Sequence, residues 1–111
     1  MCEGCGDLGR DVHHRQPRGM GGILGLAALA AHAPSNLMYL CGDCHSLTLD
    51  DVLRARALGW IVPHGVADPK EIPARMVTVN GTGWYLLGDD AGYWWQDDGV
   101  ALDTIKAYGL T

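Results

Sequence analysis

The sequence predicts an α+β fold in which two short strands and a helix surround a metal ion, followed by a β-hairpin-rich extension. Three observations support this prediction: two Cys-x2-Cys pairs, at Cys2/Cys5 and Cys41/Cys44, a strand-like segment close to each pair, and a strand-rich pattern after residue 60. A chain of 111 residues is sufficient for one domain and is near the size at which a bound metal adds needed stability.

The four cysteines predict a structural zinc site. Two residues between thiolates suit a turn that presents both sulfurs to one tetrahedral ion, so Cys2, Cys5, Cys41 and Cys44 together complete a four-thiolate shell. A disulfide framework is the alternative for the same four cysteines. Since no secretory leader precedes Cys2, we expect reduced, metal-bound cysteines in a cytoplasmic protein, with zinc contributing to the folding free energy.

The first half of the chain begins with the cysteine pair and continues into a predicted strand at residues 11–14 (Asp-Val-His-His). This strand leads to the glycine-rich segment Arg18–Gly22. Helix-favouring Ala and Leu residues predict a helix from Ile23 to His32, which Pro34 ends. Its apolar part is too short to cross a bilayer, so we expect a soluble protein with no membrane partner.

A second predicted strand, Leu37–Leu40, pairs with the first strand and delivers the second cysteine pair to the same zinc. A helix is predicted from Asp43, with a break or a new cap at Asp50 and Asp51 and an end at Gly59. The sequence of elements up to this point is therefore strand, strand and helix around a metal.

The remaining segments predict an acidic, β-rich extension, residues 61–111, that packs on the metal-bearing core, residues 1–60, as part of the same domain. Strands are predicted at 76–79, 84–87 and 93–95, turns at 80–83, 89–92 and 97–99, and a terminal helix at 101–108. Because the chain has no phenylalanine, we expect its four tryptophans, Trp60, Trp84, Trp94 and Trp95, to lie in the core.

The net charge of −5 predicts weak, salt-sensitive binding to bare DNA, because phosphate contacts require Lys and Arg. Residues 1–60 hold five arginines and six carboxylates, a balance of −1, whereas residues 61–111 hold three cations and seven carboxylates, a balance of −4. A bound cation or a partner protein would have to supply the missing attraction.

Four segments taken together resemble the HNH endonucleases of the four-cysteine zinc-knuckle type, especially the small enzymes of phages and prophages. The segments are Asp11–Arg15, Arg18–Gly22, Ala33–Leu37 and Leu40–His45. The resemblance covers about residues 2–60 and implies a ββα-metal, treble-clef-like fold around the zinc. It also implies a phosphodiesterase that hydrolyses DNA, and the phage large terminase as a partner.

The resemblance implies roles for individual residues. His13 and His45 would bind a catalytic divalent ion (Mg²⁺, Mn²⁺, Ni²⁺ or Zn²⁺), His14 would be the general base, and Asn36 would orient His14 through backbone hydrogen bonds. The chemistry agrees, since phosphodiester hydrolysis needs an activated water and a cation that absorbs the charge on the phosphoryl group. Adjacent strand residues point to opposite faces, so His13 and His14 suit two different tasks.

At one position the sequence leaves the role of the residue open, and at another position the chain differs from several HNH endonucleases. Arg15 is placed either to contact a substrate phosphate or to form a surface ion pair. Several relatives have another ligand four residues after the equivalent of His45, where this chain has Leu49. Only His13 and His45 would then bind the ion, with water, substrate oxygens or Asp50 completing its coordination.

Two other functions fit the same residues. The first is a non-catalytic zinc-ribbon module that binds DNA or a protein such as a terminase, which the absence of a ligand at Leu49 favours. The second is an interaction subunit whose acidic C-terminal part docks on a larger assembly. His32 and His64 are expected to be ordinary surface or hydrogen-bonded residues.

Overall fold

A computed structural model describes residues 1–17 and 32–111 of the chain. These residues form a mixed α and β structure, in the order β1 (Asp11–His14), β2 (Leu37–Leu40), α1 (Gly42–Asp50), α2 (Val52–Ala57), β3 (Ala74–Thr78), β4 (Gly81–Leu87), β5 (Tyr93–Gln96) and α3 (Asp98–Ala107). The glycine-rich segment Arg18–Gly22 and the predicted helix from Ile23, except its last residue His32, lie outside the described residues.

The first two strands form an antiparallel ribbon, as the sequence predicts. Asp11 pairs with Leu40 at one end and His14 with Leu37 at the other. Side chains alternate between the two faces, so that Val12 is exposed while His13 is buried. The ribbon thereby places neighbouring histidines in different environments.

Helices α1 and α2 are separated at the predicted break. The Cys41 sulfur caps α1 by accepting a hydrogen bond from the Cys44 amide, and the Asp51 carboxylate caps α2 by accepting one from the Arg54 amide. Gly59 follows α2 with φ +73°, and a Cβ there would lie 1.9 Å from the Pro73 carbonyl oxygen. Glycine is therefore required by both the conformation and the space.

The C-terminal strands form an antiparallel sheet in the order β3-β4-β5. The turn between β3 and β4 comprises only Val79 and Asn80, so the prediction of a turn over residues 80–83 is wrong. Gly83 belongs to β4 and faces the Trp95 side chain, which would lie 3.4 Å from a Cβ at that position. Packing against the neighbouring strand thus overrides the local turn preference.

The terminal helix begins earlier than the sequence predicts. Residues 97–99 were expected to form a turn, but Asp97 is the N-cap of α3, and its carboxylate accepts a hydrogen bond of 3.0 Å from the Gly99 amide. The predicted final strand and the turn over residues 89–92 are confirmed. None of the helices in the described ranges is long and apolar enough to cross a membrane.

One hydrophobic core joins the two parts of the chain. Its buried residues come from the N-terminal part (Cys2, Met38, Leu40, Ala55 and Trp60) and from the C-terminal sheet (Ala74, Met76, Tyr85 and Leu87). A second cluster contains Trp84 and packs α3 against the sheet through Ala101 and Ile105. The extension therefore shares a core with the part that bears the four cysteines.

The tryptophans divide into two groups. Trp60 and Trp84 are buried, but Trp94 and Trp95 on β5 are 51% and 64% exposed, so the prediction of four core tryptophans is wrong for these two. The Trp94 ring lies against Gly88 and Gly92, where any Cβ would clash with it. β5 is the outer strand of its sheet, which leaves large parts of both rings exposed.

Candidate functional site

The four cysteines form one cluster. The Sγ atoms of Cys2, Cys5, Cys41 and Cys44 all lie within 4.8 Å of one another, and those of Cys5 and Cys41 are 3.7 Å apart. The cysteines are free thiols rather than disulfides. A tetrahedral zinc site with Zn–S bonds near 2.3 Å separates its sulfurs by about 3.8 Å, which is close to the Cys5–Cys41 distance and within the spread of the cluster.

Backbone hydrogen bonds support the sulfurs of both pairs. The Gly4 amide donates to the Cys2 sulfur at 3.3 Å, and the Cys44 amide donates to the Cys41 sulfur at 3.4 Å. Glycine is needed at residue 4, because a Cβ would lie 2.7 Å from the Trp60 ring. In each Cys-x2-Cys pair, one sulfur thus accepts a hydrogen bond from a backbone amide, as expected where thiolates bind a cation.

The thiols differ in how readily they ionise. Burial opposes ionisation of Cys2, but backbone hydrogen bonds, the largest at Cys41, lower the pKa of its thiol to about 7. Burial and the neighbouring thiols, Cys41 first among them, raise the pKa of Cys44 well above its usual range. The four clustered sulfurs are a donor set that could bind a structural metal ion, and four cysteines are a ligand set typical of zinc.

His13 has a defined tautomer. Its ring is 7% exposed, and Nε2 lies 2.7 Å from the Trp60 carbonyl oxygen. Because a carbonyl only accepts, Nε2 of the neutral ring carries the hydrogen and Nδ1 has the lone pair. Burial lowers the pKa of His13, which keeps the ring neutral and able to bind a metal ion at neutral pH.

His45 lies in the first half of α1, where its amide donates to the Cys41 carbonyl, so the second knuckle determines its position. The Nδ1 atom is 3.1 Å from the Asp11 carboxylate. The rings of His13 and His45 have centroids 5.4 Å apart, at an interplanar angle of 64°. The two expected ligands of the catalytic ion are therefore neighbours.

A surface cavity of about 380 Å³ brings the predicted histidines together. Its lining consists of Val12, His13, His14, Pro17, His45, Thr48, Leu49 and Ile61. Three of its lining residues, His45, Thr48 and Leu49, belong to α1, the helix that also contains Cys44. The three histidines to which the sequence analysis gave roles therefore line one cavity.

His32 contacts His14, a relationship that the sequence analysis missed. The His14 Nε2 and His32 Nδ1 atoms are 3.3 Å apart, and the two rings meet edge to face with centroids 5.4 Å apart. His32 is exposed, as expected of a surface residue, but it is also a partner of the predicted base. No spacing in the sequence signals a contact across 18 residues.

Asn36 forms hydrogen bonds to the backbone near His14. Its Oδ1 accepts a hydrogen bond of 2.6 Å from the Gln16 amide, and its Nδ2 donates one of 3.1 Å to the Gln16 carbonyl. The Asn36 carbonyl also accepts from the Arg15 amide. The buried amide thus holds the chain just after His14, and its role in orienting His14 stays a prediction.

The structure corrects both expectations for Arg15. The side chain is 0% exposed, and its guanidinium donates to four backbone carbonyls, those of Ser35, Gly59, Pro69 and Ile72. Burial lowers the pKa of Arg15 to about 9, so the group stays charged at neutral pH. Because all these partners lie inside the protein, Arg15 holds the fold together and reaches neither a substrate phosphate nor a surface carboxylate.

His13 and His45, which the sequence analysis predicted as ligands of an ion, both line the cavity. Leu49 lies on the cavity wall and is 78% exposed, and Asp50 is exposed at the end of α1. Within residues 1–17 and 32–111, the cysteine cluster is the one group of three or more Cys, His, Asp or Glu side chains close enough to share an ion. Any ion held by His13 and His45 would therefore have most of its coordination open to water or substrate.

No protein-family model, curated protein or solved structure matches this chain. Function must therefore be argued from the site itself, because a fold alone does not imply an activity. The site consists of a thiolate cluster that fits structural zinc and an adjacent cavity lined by histidines.

Proposed function

We propose that this protein is a divalent-metal-dependent endonuclease of the HNH type, with a ββα-metal fold, that hydrolyses phosphodiester bonds in DNA. The observation that carries the proposal is the convergence of His13, His14 and His45 on one cavity beside the cysteine cluster. These side chains come from β1 and α1, the elements that the ββα arrangement uses for the same purpose. The proposal includes a phage origin and a cytoplasmic site of action.

The tautomers of the two ligands support an ion site. Hydrogen bonds to Trp60 and Asp11 hold the hydrogen on one nitrogen of each ring, which leaves Nδ1 of His13 and Nε2 of His45 unprotonated. A divalent cation on these nitrogens would absorb the negative charge that develops on the phosphoryl group during hydrolysis. Two imidazole ligands suit Mn²⁺, Ni²⁺ or Zn²⁺ well. Mg²⁺ would bind there with water and substrate oxygens completing its coordination.

His14 is the proposed general base, with His32 as its neighbour. His14 removes a proton from the attacking water, a task for which an imidazole is suited near neutral pH. His32 touches His14 and is exposed, so it can pass this proton on to solvent. Asn36 fixes the chain after His14 through its two bonds to Gln16.

We expect the protein to bind DNA weakly when no partner is present. The net charge is −5, and the guanidinium of Arg15 is buried among carbonyls. Arg10 is an exposed cationic side chain that is linked through Asp11 to His45. A partner that holds the DNA, such as a phage large terminase, would supply the remaining attraction.

Plasmid relaxation tests the proposal. Zinc-loaded protein should nick supercoiled DNA in at least one of Mg²⁺, Mn²⁺, Ni²⁺ or Zn²⁺, and stop when that ion is chelated while the structural zinc is retained. His64→Ala is the matched control, because His64 is an exposed histidine that does not line the cavity. Folded, zinc-containing protein that leaves DNA intact with every cation, with and without a DNA-holding partner, would contradict the proposal.

A second candidate is a non-catalytic zinc module that binds a protein. The observation in its favour is the outer strand β5, where Tyr93, Trp94 and Trp95 are all substantially exposed. Exposed aromatic residues grouped on one strand are typical of contact surfaces. Under this alternative Trp94→Ala would abolish partner binding, whereas His14→Ala would have no consequence.

A further inference from the structure

Asp11 lies at the start of β1, and its Oδ2 atom is 3.1 Å from Nδ1 of His45. An ionised carboxylate can only accept a hydrogen bond, so Nδ1 of His45 must be the donor. A neutral imidazole has one N–H, and its placement on Nδ1 leaves the lone pair on Nε2. The contact therefore selects one tautomer of His45.

The Asp11 carboxylate is itself held in place. The Arg10 guanidinium donates to both of its oxygens at 2.9–3.2 Å. This guanidinium also lies over the first residue of α1, where a Cβ on Gly42 would be 2.8 Å from Nη1. Arg10 and Asp11 thus connect the beginning of β1 to the helix that bears His45.

The pair is exposed to solvent, which limits its value to the stability of the fold. The side chains of Arg10 and Asp11 are 70% and 28% exposed, and exposed ion pairs contribute little free energy. The role that remains is geometric: a carboxylate that orients an imidazole and holds its tautomer is a common arrangement behind metal ligands. For His13 a backbone carbonyl does the same task, so Asp11 is the side chain through which this effect can be tested.

We propose that Asp11 is the positioning residue of His45, keeping Nε2 of that ring unprotonated and directed for binding a divalent cation. The inference rests on the proposed function for the identity of the bound ion. Its direct consequence, the tautomer of His45, exists without any ion or substrate. The two ideas can therefore fail separately.

The test compares three variants with the wild type: Asp11→Ala, Asp11→Asn and the control Asp43→Asn. Asp11→Ala removes the acceptor, whereas the amide oxygen of Asp11→Asn can still accept from Nδ1 without a charge. Asp43 is an exposed carboxylate on α1, the helix that bears His45, so its replacement also removes one negative charge near His45. Zinc content and thermal unfolding show that each variant is folded.

Two readouts are required besides activity. Long-range ¹H–¹⁵N spectra of the zinc-loaded protein, at a pH above the imidazole pKa, report the tautomer of His45. Calorimetric titration with Mn²⁺ reports affinity for the second ion. We expect Asp11→Ala to lose the Nδ1–H tautomer and to bind Mn²⁺ about 10- to 100-fold more weakly. Asp11→Asn should keep the tautomer and recover part of the affinity, and Asp43→Asn should match the wild type.

Several results would overturn the inference. Asp11→Ala with an unchanged His45 tautomer and Mn²⁺ affinity would show that Asp11 does not position the ring. If Asp11→Asn kept the tautomer but bound Mn²⁺ as weakly as Asp11→Ala, charge alone would explain the effect. Wild-type protein that binds no Mn²⁺ would remove the proposed role. If the tautomer and affinity shift as expected but the wild type cleaves no DNA, the nuclease proposal fails and the inference about Asp11 stands.

Discussion

The Nε2 atom of His13 donates a hydrogen bond to the backbone carbonyl of Trp60, with 2.7 Å between the two heavy atoms. Trp60 in turn donates from its ring nitrogen to the Arg75 carbonyl on β3. A proposed metal ligand is therefore joined, through one buried aromatic residue, to the C-terminal sheet. Changes in that sheet should reach the histidine cavity through this connection.

Replacement of the two histidines proposed for different tasks should give different defects. His14→Ala should keep zinc, the fold and much of the affinity for the second ion, yet lose about 10²- to 10⁴-fold in cleavage rate, the usual contribution of a general base. His45→Ala should weaken metal binding, and excess metal should partly restore the rate. Single-turnover cleavage across a metal titration measures both. A His14→Ala protein as fast as the wild type would show that this histidine is not the base.

Loss of a cluster cysteine should unfold the protein. We expect one tightly bound zinc per chain, and Cys41→Ala should lower the midpoint of thermal unfolding sharply or cause aggregation, because metal binding contributes to folding. Metal analysis after dialysis and a thermal scan measure the two quantities. Folded protein without any metal would contradict the assignment of the cluster.

Replacement of Arg15 should destabilise the fold without a specific effect on substrate. Arg15→Met removes the guanidinium donors from four carbonyls in the interior, of which the Pro69 carbonyl keeps a hydrogen bond from the Ile72 amide, so we expect a loss of at least about 3 kcal/mol in the free energy of unfolding. Arg15→Lys should also destabilise the protein, because an ammonium group lacks the planar fork. Urea unfolding measures the effect.

The control for Arg15 is Arg54→Met on the exposed face of α2, which should change the free energy of unfolding by less than about 0.5 kcal/mol. A fully stable Arg15→Met protein that had lost only DNA binding would restore the phosphate role for this residue.

Stability should decrease in mild acid through His13. Burial lowers the pKa of His13 in the folded state, so the unfolded state binds more protons as the pH falls below about 6.5. The contribution of His13 is therefore present above that pH and is lost as the pH falls toward the pKa of the folded state. Urea unfolding at pH 8 and pH 5.5, at equal zinc occupancy, should show a smaller pH dependence for His13→Gln than for the wild type. Equal pH dependence in the two proteins would contradict this explanation.

His32→Ala tests whether the neighbour of the base matters for the reaction. Because His32 is exposed and contacts His14, its removal should leave stability nearly unchanged and lower the cleavage rate by less than His14→Ala does. His64→Ala, which removes another exposed histidine, should cleave like the wild type. A His32→Ala rate equal to that of the wild type would show that the contact has no role in proton transfer.

Features that depend on local spacing could be predicted from the sequence. The two Cys-x2-Cys pairs and the break at Asp51 follow from residues a few positions apart. The meeting of the two pairs, with Cys5 and Cys41 36 positions apart, was predicted from the four sulfur ligands that a zinc ion requires. The prediction of a turn over residues 97–99 was wrong. Aspartate favours helix N-caps as well as turns, and Asp97 is the N-cap of α3. The catalytic roles of His13, His14 and His45 stay predictions.

The sequence by itself determined which four side chains can bind a zinc ion together, because donor type and Cys-x2-Cys spacing are local properties. Only the tertiary structure decided the surroundings of Arg15 and the exposure of Trp94 and Trp95. The carbonyls around Arg15 come from residues as far as 57 positions along the chain, and the exposure of the tryptophans depends on β5 being an outer strand. Burial is set by what packs against a residue, and that information lies in distant parts of the chain.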